Sequence, residues 1–318
     1  MDLSIVISTY NRCALLGDAV QALLRQTGSL AFEVLVVDNN SSDQTRPVAE
    51  SLAAQHPQTL RYLFEPKQGL SYGRNTGISH AKAPIVAFTD DDVRTAPDWA
   101  AKIVAAFRAH PDIDFLGGKV LPVWPKSPPA WLTHEHWAPL ALLDYGDDPF
   151  YVTENRQLCL IGANLAVRKR AFETVGLFNT DFQRVRNGIG SLEDHEMLMR
   201  LWHANLSGLY LPELVVNAAV EPERLEKEYH RRWHAGHGRF YATLRSEEVE
   251  RSRMGKFLGV PAHLYRLAFK DAYGLTLSTI LRRRERAFAH EVRLRYFGGF
   301  LNRRWRDFFR GETAEKSG

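Results

Sequence analysis

The chain has little that would tie it together covalently or hold it across a membrane. Its 318 residues include two cysteines, Cys13 and Cys159, too few for a multi-bridge framework and without the close spacing of a zinc-binding pair. A reducing compartment is the expectation. The longest uncharged run late in the chain, Ala272 to Leu281, has ten residues including Thr and Ser, whereas a spanning helix needs about 20 predominantly apolar ones. The opening MDLSIVISTYNR meets an acidic residue at once and reads as a strand rather than a signal peptide. Repeats and low-complexity tracts are absent, apart from short arginine clusters. The remainder, 45% hydrophobic and 25% charged, is an ordinary folded, water-facing composition that excludes disordered, collagenous and coiled-coil chains. At 36.2 kDa the expectation is one large catalytic unit or a core with an appendage.

The formal net charge of +4 conceals two halves of opposite sign. Residues 221–318 carry 22 Lys and Arg against 13 Asp and Glu, and residues 1–220 carry 19 against 24. An acidic body followed by a basic, aromatic-rich tail suggests a chemical core and a segment that meets an anionic surface. The expected division is a catalytic domain over 1–220 and a basic helical extension over 221–318.

Apolar runs rich in Val, Ile and Leu alternate with helical stretches over the first 90 residues. Strands are expected at Ser4–Ser8, Glu33–Val37, Leu60–Phe64 and Ile85–Phe88, and helices at Ala14–Arg25, Thr45–Gln55 and Ser71–Ala81. That alternation predicts an α/β fold with a mostly parallel sheet flanked by helices. Ligands of such sheets sit beyond the carboxyl ends of the strands, which directs attention to Thr9-Tyr10-Asn11, Asp38-Asn39-Asn40 and Asp90-Asp91-Asp92. Residues 121–149, rich in Pro and Trp, read as a long excursion over the mouth of the sheet. Structure resumes at Cys159–Val167, Ser191–Trp202 and Leu209–Val216.

Three consecutive aspartates at a strand end repel one another unless water solvates them or a cation neutralises them. Both readings stay open for an isolated triplet. Alternation along an extended chain puts Asp90 and Asp92 on one side, which suits one carboxylate on a ribose or water and the other on a metal. Asp38 is placed to accept from a base or ribose, and GLSYGRNTGISHA adds a turn into a helix whose Arg74 can meet a base carbonyl or phosphate. Further on, Glu193 and Asp194 precede Met197, Leu198, Leu201 and Trp202, whose spacing marks an apolar helical face. The two carboxylates therefore head a helix, where the dipole favours negative charge. They are either capping acids or a positioned base able to take a proton from a hydroxyl.

In this order and at these spacings, SIVISTYNR, EVLVVDNNSSDQT, GLSYGRNTGISHA, IVAFTDDDV, LIGANLAVRKRAFETVGLFNTDF and GSLEDHEMLMRLWHANLSGLYLPE resemble the nucleotide-sugar-dependent glycosyltransferases of family 2, whose fold is called GT-A. The resemblance spans residues 3–224. It implies an inverting, non-processive transferase of polysaccharide or cell-envelope assembly that uses a UDP-sugar or another nucleoside diphosphate sugar with Mg²⁺ or Mn²⁺. Asp194 would be the base and Glu193 its neighbour, Asp38 and Arg74 the nucleoside ligands, Asp90 the ribose ligand, and Asp92 with Asp90 the metal ligands. Thr9, Tyr10, Asn11, Arg12, Asn40 and Asp91 would line the donor site, and Arg231 and Arg232 would neutralise the leaving diphosphate. The acceptor would be a glycan or a lipid-linked hydroxyl, and the setting cytoplasmic.

Two departures from the family pattern stand out. Where relatives place a histidine after the last core strand, this chain has Asn217, Ala218 and Ala219; His230, His234 and His237 share a helical face and could substitute, or belong to a solvated basic helix. The Gln-x-x-Arg-Trp element of processive relatives is incomplete, because Tyr229 precedes Arg232 and Trp233. In the tail, Leu264, Ala268, Ala272 and Leu275, then Leu301, Trp305, Phe308 and Phe309 among Arg303, Arg304, Arg306 and Arg310, give two amphipathic stretches. They suit peripheral contact with an anionic inner membrane face or packing on the core, and no nucleic-acid-binding signature accompanies the charge. A nucleotidyltransferase and a catalytically degenerate scaffold are the competing functions.

Overall fold

The computed structural model describes residues 1–183, 189, 192–245 and 255–309. They fall into two compact units: the described residues within 1–125, 141–187 and 193–220, and those within 126–140, 188–192 and 221–318.

In the first unit, β1 (Leu3–Thr9), β2 (Phe32–Asp38), β3 (Leu60–Phe64) and β4 (Ile85–Thr89) alternate with α1 (Cys13–Leu24), α2 (Thr45–Gln55) and α3 (Leu70–His80). Each observed element lies within two residues of its expected bounds. The runs in β1 and β2 are apolar on both faces, and Ile5, Ile7, Val34, Leu35 and Val36 are fully buried, as a sheet covered by helices on both sides requires. Beyond β4 come β5 (Val93–Thr95), α4 (Trp99–Ala109), β6 (Phe115–Val123), β7 (Phe150–Val152), β8 (Leu165–Arg168), α5 (Lys169–Val175), α6 (Glu193–His203) and β9 (Gly208–Ala219).

The sheet runs β3-β2-β1-β4-β8-β6-β9-β5, with β7 on β9. β8 is antiparallel to both β4 and β6, and β5 and β7 are antiparallel to β9, so six strands run one way and three the other. The register aligns Thr9 with Asp38 and Ile7 with Thr89, which brings the polar ends of β1, β2 and β4 to one edge. Gly73 allows α3 to lie close to β1, because a Cβ there would overlap the Ser8 hydroxyl.

The second unit contains α7 (Lys227–Leu244), a short hairpin of β10 (Lys256–Phe257) and β11 (Val260–Pro261), α8 (Ala262–Ile280) and α9 (Arg284–Phe309). Residues 126–140 belong to this unit rather than forming a free excursion. Trp131 stacks edge-on against His230 and Phe288, at 4.9 and 4.8 Å between ring centroids, and His136 lies flat on Phe288 at 5.6 Å. The solvated-helix reading of the α7 histidines is thereby corrected. His230 is fully buried, and His237 stacks on Trp233 at 4.4 Å. Hydrophobic burial outweighs the cost of an imidazole that can stay neutral.

His230 Nε2 lies 3.0 Å from the Arg224 carbonyl oxygen. That oxygen can only accept, so Nε2 carries the proton, while Nδ1 is buried without a partner. Burial, against one backbone hydrogen bond, pulls His230 down to about 4, and burial pulls His234 down to about 3. Because the folded value lies below the ordinary one, the associated stability is fully present above about pH 6.5 and is lost as pH falls toward 4. For His230 this amounts to at most about 3 kcal/mol. Thermal melts between about pH 7 and about pH 4.5 should show the wild type losing stability more steeply than His230→Phe as the pH falls. Parallel slopes would reject the neutral buried imidazole.

Candidate active site

The loops after β1 and β2 are stitched together by short polar side chains. Asn11, at φ 53°, accepts at Oδ1 from the Ser42 amide at 2.8 Å and donates its own amide to Ser41 Oγ at 3.0 Å. The Arg12 amide donates to Thr45 Oγ1 at 3.2 Å. Asn39, buried, accepts from the Gly69 amide at 2.7 Å and donates to the Lys67 carbonyl at 2.6 Å, while Asn40 Nδ2 donates to the Pro66 carbonyl at 3.1 Å. Tyr10 is half-buried in the same turn. Asp38, 1% exposed, accepts from the Ser41 amide at 2.9 Å and from the Tyr62 hydroxyl at 3.1 Å. Burial and the Asp38 charge push that phenol up to about 12, so it remains a donor.

Next to this edge, the three aspartates occupy different environments. Asp91 is buried and accepts from Thr9 Oγ1 at 2.7 Å. Burial and the neighbouring Asp92 charge raise it to about 7, against the pull of Arg12. Arg12 donates to Asp92 at 3.3 Å. Asp90 is the most exposed of the three side chains, at 33% against 13% for Asp92 and 9% for Asp91. Asp90 and Asp92 therefore present the hard carboxylate oxygens that suit Mg²⁺ or Mn²⁺. The end of β9 runs beside them, and Ala219 donates its amide to the Asp92 carbonyl at 2.9 Å. The side chains there are methyl groups, which add no imidazole. Among the described residues no group of three or more His, Cys, Asp or Glu side chains is arranged to hold a metal.

Arg74 shows how the strand-end cluster connects to Glu193 and Asp194. The sequence places it for a base or phosphate, but its buried guanidinium lies 2.6 Å from Asp194 Oδ1, 3.3 Å from Glu193 Oε1 and 3.8 Å from Asp90 Oδ1. The second Asp194 oxygen, Oδ2, accepts from the Gly162 amide at 2.9 Å. Gly162 is a site residue that sequence reasoning missed. It sits in the quoted segment LIGANLAVRKRAFETVGLFNTDF, and a side chain there would overlap the Arg74 guanidinium and approach Asp194 Oδ1 to 2.7 Å. Of the acidic pair, Glu193 is sequestered at 3% side-chain exposure whereas Asp194 reaches solvent at 18%. Burial and the charges of Asp194 and Glu193 hold the nearby Cys159 thiol up, so it is protonated and not a nucleophile.

Arg231 and Arg232 lie on α7 of the second unit. The Arg231 guanidinium is engaged by Glu291 at 2.7 and 3.1 Å and by Glu228 at 3.5 Å, and Arg232 is exposed. Arg310 lies outside the described residues.

Replacing Arg74 by Leu should leave the buried Glu193 and the half-buried Asp194 without their counter-ion and lower stability by roughly 3–5 kcal/mol. Urea unfolding of the variant checks this, and a loss within error of zero would refute the pairing.

A family model described as Glycosyl transferase family 2 matches residues 4–176. Validoxylamine A glucosyltransferase of Streptomyces hygroscopicus subsp. jinggangensis is 40% identical over 107 residues, which are 33% of this chain and 25% of that protein. Glycosyltransferase AglE of Haloferax volcanii is 28% identical over 177 residues, 55% of each chain. The chain spans about a quarter to a third of the length of the first curated relatives it matches, from 23% to 33%. Among solved structures, the mannosyltransferase PcManGT from Pyrobaculum calidifontis in complex with GDP-Man and Mn²⁺ has a TM-score of 0.61 at 20% identity, covering 96% of this chain and 87% of that one. S. aureus TarS 1-349 in complex with UDP has a TM-score of 0.54 at 19% identity, covering 98% and 92%. At these identities the likeness is one of fold, GT-A. With a family match over more than half its length, and polar clusters at successive strand ends, the chain belongs to glycosyl transferase family 2.

Proposed function

We propose that the chain transfers one sugar, with inversion, from a UDP-sugar or another nucleoside diphosphate sugar to a hydroxyl of a glycan or lipid-linked acceptor. The observation that carries this reading is Asp194. Its carboxylate heads α6, is oriented by Arg74 and the Gly162 amide, and shares Arg74 with Asp90 of the strand-end cluster. The nucleotides named for PcManGT and TarS, GDP-Man and UDP, support the donor class.

In this reading the turn at the end of β2 that carries Asp38 holds the nucleoside, and Asp90 its ribose. Asp92, with Asp90, would hold Mg²⁺ or Mn²⁺, whose chemistry when bound is to neutralise charge on the diphosphate. Arg12, 3.3 Å from Asp92, supplies a second positive charge at the same edge. Asp194 takes the proton of the acceptor hydroxyl as that oxygen bonds to the anomeric carbon. The bond from that carbon to the diphosphate breaks on the opposite face, and the electron pair leaves with the diphosphate. Arg74 is a positioning residue here: it is committed to Asp194 and Glu193 and aims the base. Transfer is non-processive because the element that cradles a growing chain is incomplete at Tyr229.

Calorimetric titration of UDP and GDP, with and without Mn²⁺, should show metal-dependent binding that Asp92→Ala loses. Absence of nucleotide binding by the folded wild type would overturn the donor assignment. Asp194→Asn should retain that binding yet lose transfer by about two to four orders of magnitude, and undiminished turnover would remove Asp194 from the role of base.

A further inference from the structure

We infer that the outer face of α8 and the turn that follows it form a docking surface for an anionic lipid bilayer. The inference stands on the second unit alone, whatever the first unit transfers.

α8 has one committed side. Leu264 and Tyr265 pack, together with Leu301 and Trp305, against the core of Ala242, Val260 and Phe300. Asp271 accepts from His290 and Arg293, each at 2.8 Å, and Ser278 is buried. Leu264, Leu301 and Trp305, which the sequence leaves open to a membrane or to the core, line the unit's interior. Arg304, from the same stretch, is buried and donates to the Gly259 carbonyl at 3.1 Å.

The opposite side of α8 carries the apolar surplus. Phe269 is 75% exposed, Tyr273 71%, Leu277 42% and Ile280 72%. Steps of four, four and three place them on one helical stripe, and Leu281, 50% exposed, extends it into the turn. Single exposed apolar residues need no explanation, but a contiguous stripe marks an interaction surface.

Charge identifies the partner. Arg266 and Lys270 lie along the stripe, and Arg282, Arg283, Arg284 and Arg286 cluster at its end, all six exposed. The acids between residues 262 and 286 are Asp271, already bound inward, and Glu285. Arg282 turns the chain at φ 52°, and Arg283 donates its amide to the Ser278 carbonyl at 2.8 Å. The arginines therefore sit at the tip between two helices. A second copy on this face would set cations against cations in either helix direction. A bilayer bearing anionic headgroups takes the arginines in its phosphate layer and the Phe, Tyr and Ile side chains just beneath. No helix among the described residues is long and apolar enough to cross a membrane, so α8 would lie in the interface plane.

The test is flotation of the full chain with vesicles of phosphatidylcholine alone and of phosphatidylcholine mixed with phosphatidylglycerol. Binding is expected on the mixed vesicles and should weaken with salt. Each arginine-to-glutamine change among Arg282, Arg283 and Arg284 should lower partitioning about fivefold. Phe269→Ser combined with Ile280→Ser should lower it at least about tenfold, with the thermal melt confirming that the variants fold. Absence of flotation, equal binding to the neutral vesicles, or variants that float like the wild type would overturn the proposal. So would a concentration-dependent dimer in sedimentation velocity that the apolar variant abolishes. UDP titration of the same variants separates this outcome from failure of the donor assignment.

Discussion

The guanidinium of Arg74 is the charge on which the arrangement of the first unit depends. Burial opposes its charge, and the carboxylates of Asp194, Glu193 and Asp90 more than offset that, so it is held firmly protonated. A buried charge must be paired. That requirement ties α3, the end of β4 and the start of α6 to one point, although they are separated by up to 120 residues in sequence. The rest follows by exclusion: Gly162 must lack a side chain, and of two neighbouring acids one is sequestered while the other faces solvent.

The strand-end chemistry answers a different constraint. Parallel strands in register end together, so their polar terminal residues converge without any one of them reaching far. Thr9 opposite Asp38 and Ile7 opposite Thr89 are sufficient to assemble the edge. Crowding three aspartates there is tolerable because they are not equivalent. Asp91 turns inward to Thr9, Arg12 covers Asp92, and Asp90 shares Arg74. Ala219, whose amide donates to the Asp92 carbonyl, brings only a methyl group to this edge.

In the second unit the balance is between burial and charge on the same helices. The imidazoles on the inner side of α7 can be buried because they titrate away their charge, whereas arginine cannot. Arg231 is accordingly clamped by Glu291, and Arg304 by a backbone carbonyl. The arginines of the 282–286 turn are exposed, beside an apolar stripe that the unit's own core does not cover.

The alternation of apolar runs determined the first four strands, their helices and the edge at which polar residues would gather, because local periodicity dictates element type and strand direction. The order of motifs was enough to indicate the family. The pairing of Arg74 with Asp194, the part played by Gly162, the membership of residues 126–140 in the second unit and the inward side of α8 were decided only by the tertiary structure. Each depends on which distant residue occupies the facing position. A guanidinium capable of binding phosphate or carboxylate, a histidine capable of being wet or buried, and an amphipathic helix with two usable sides are ambiguous in one dimension, and packing resolves them.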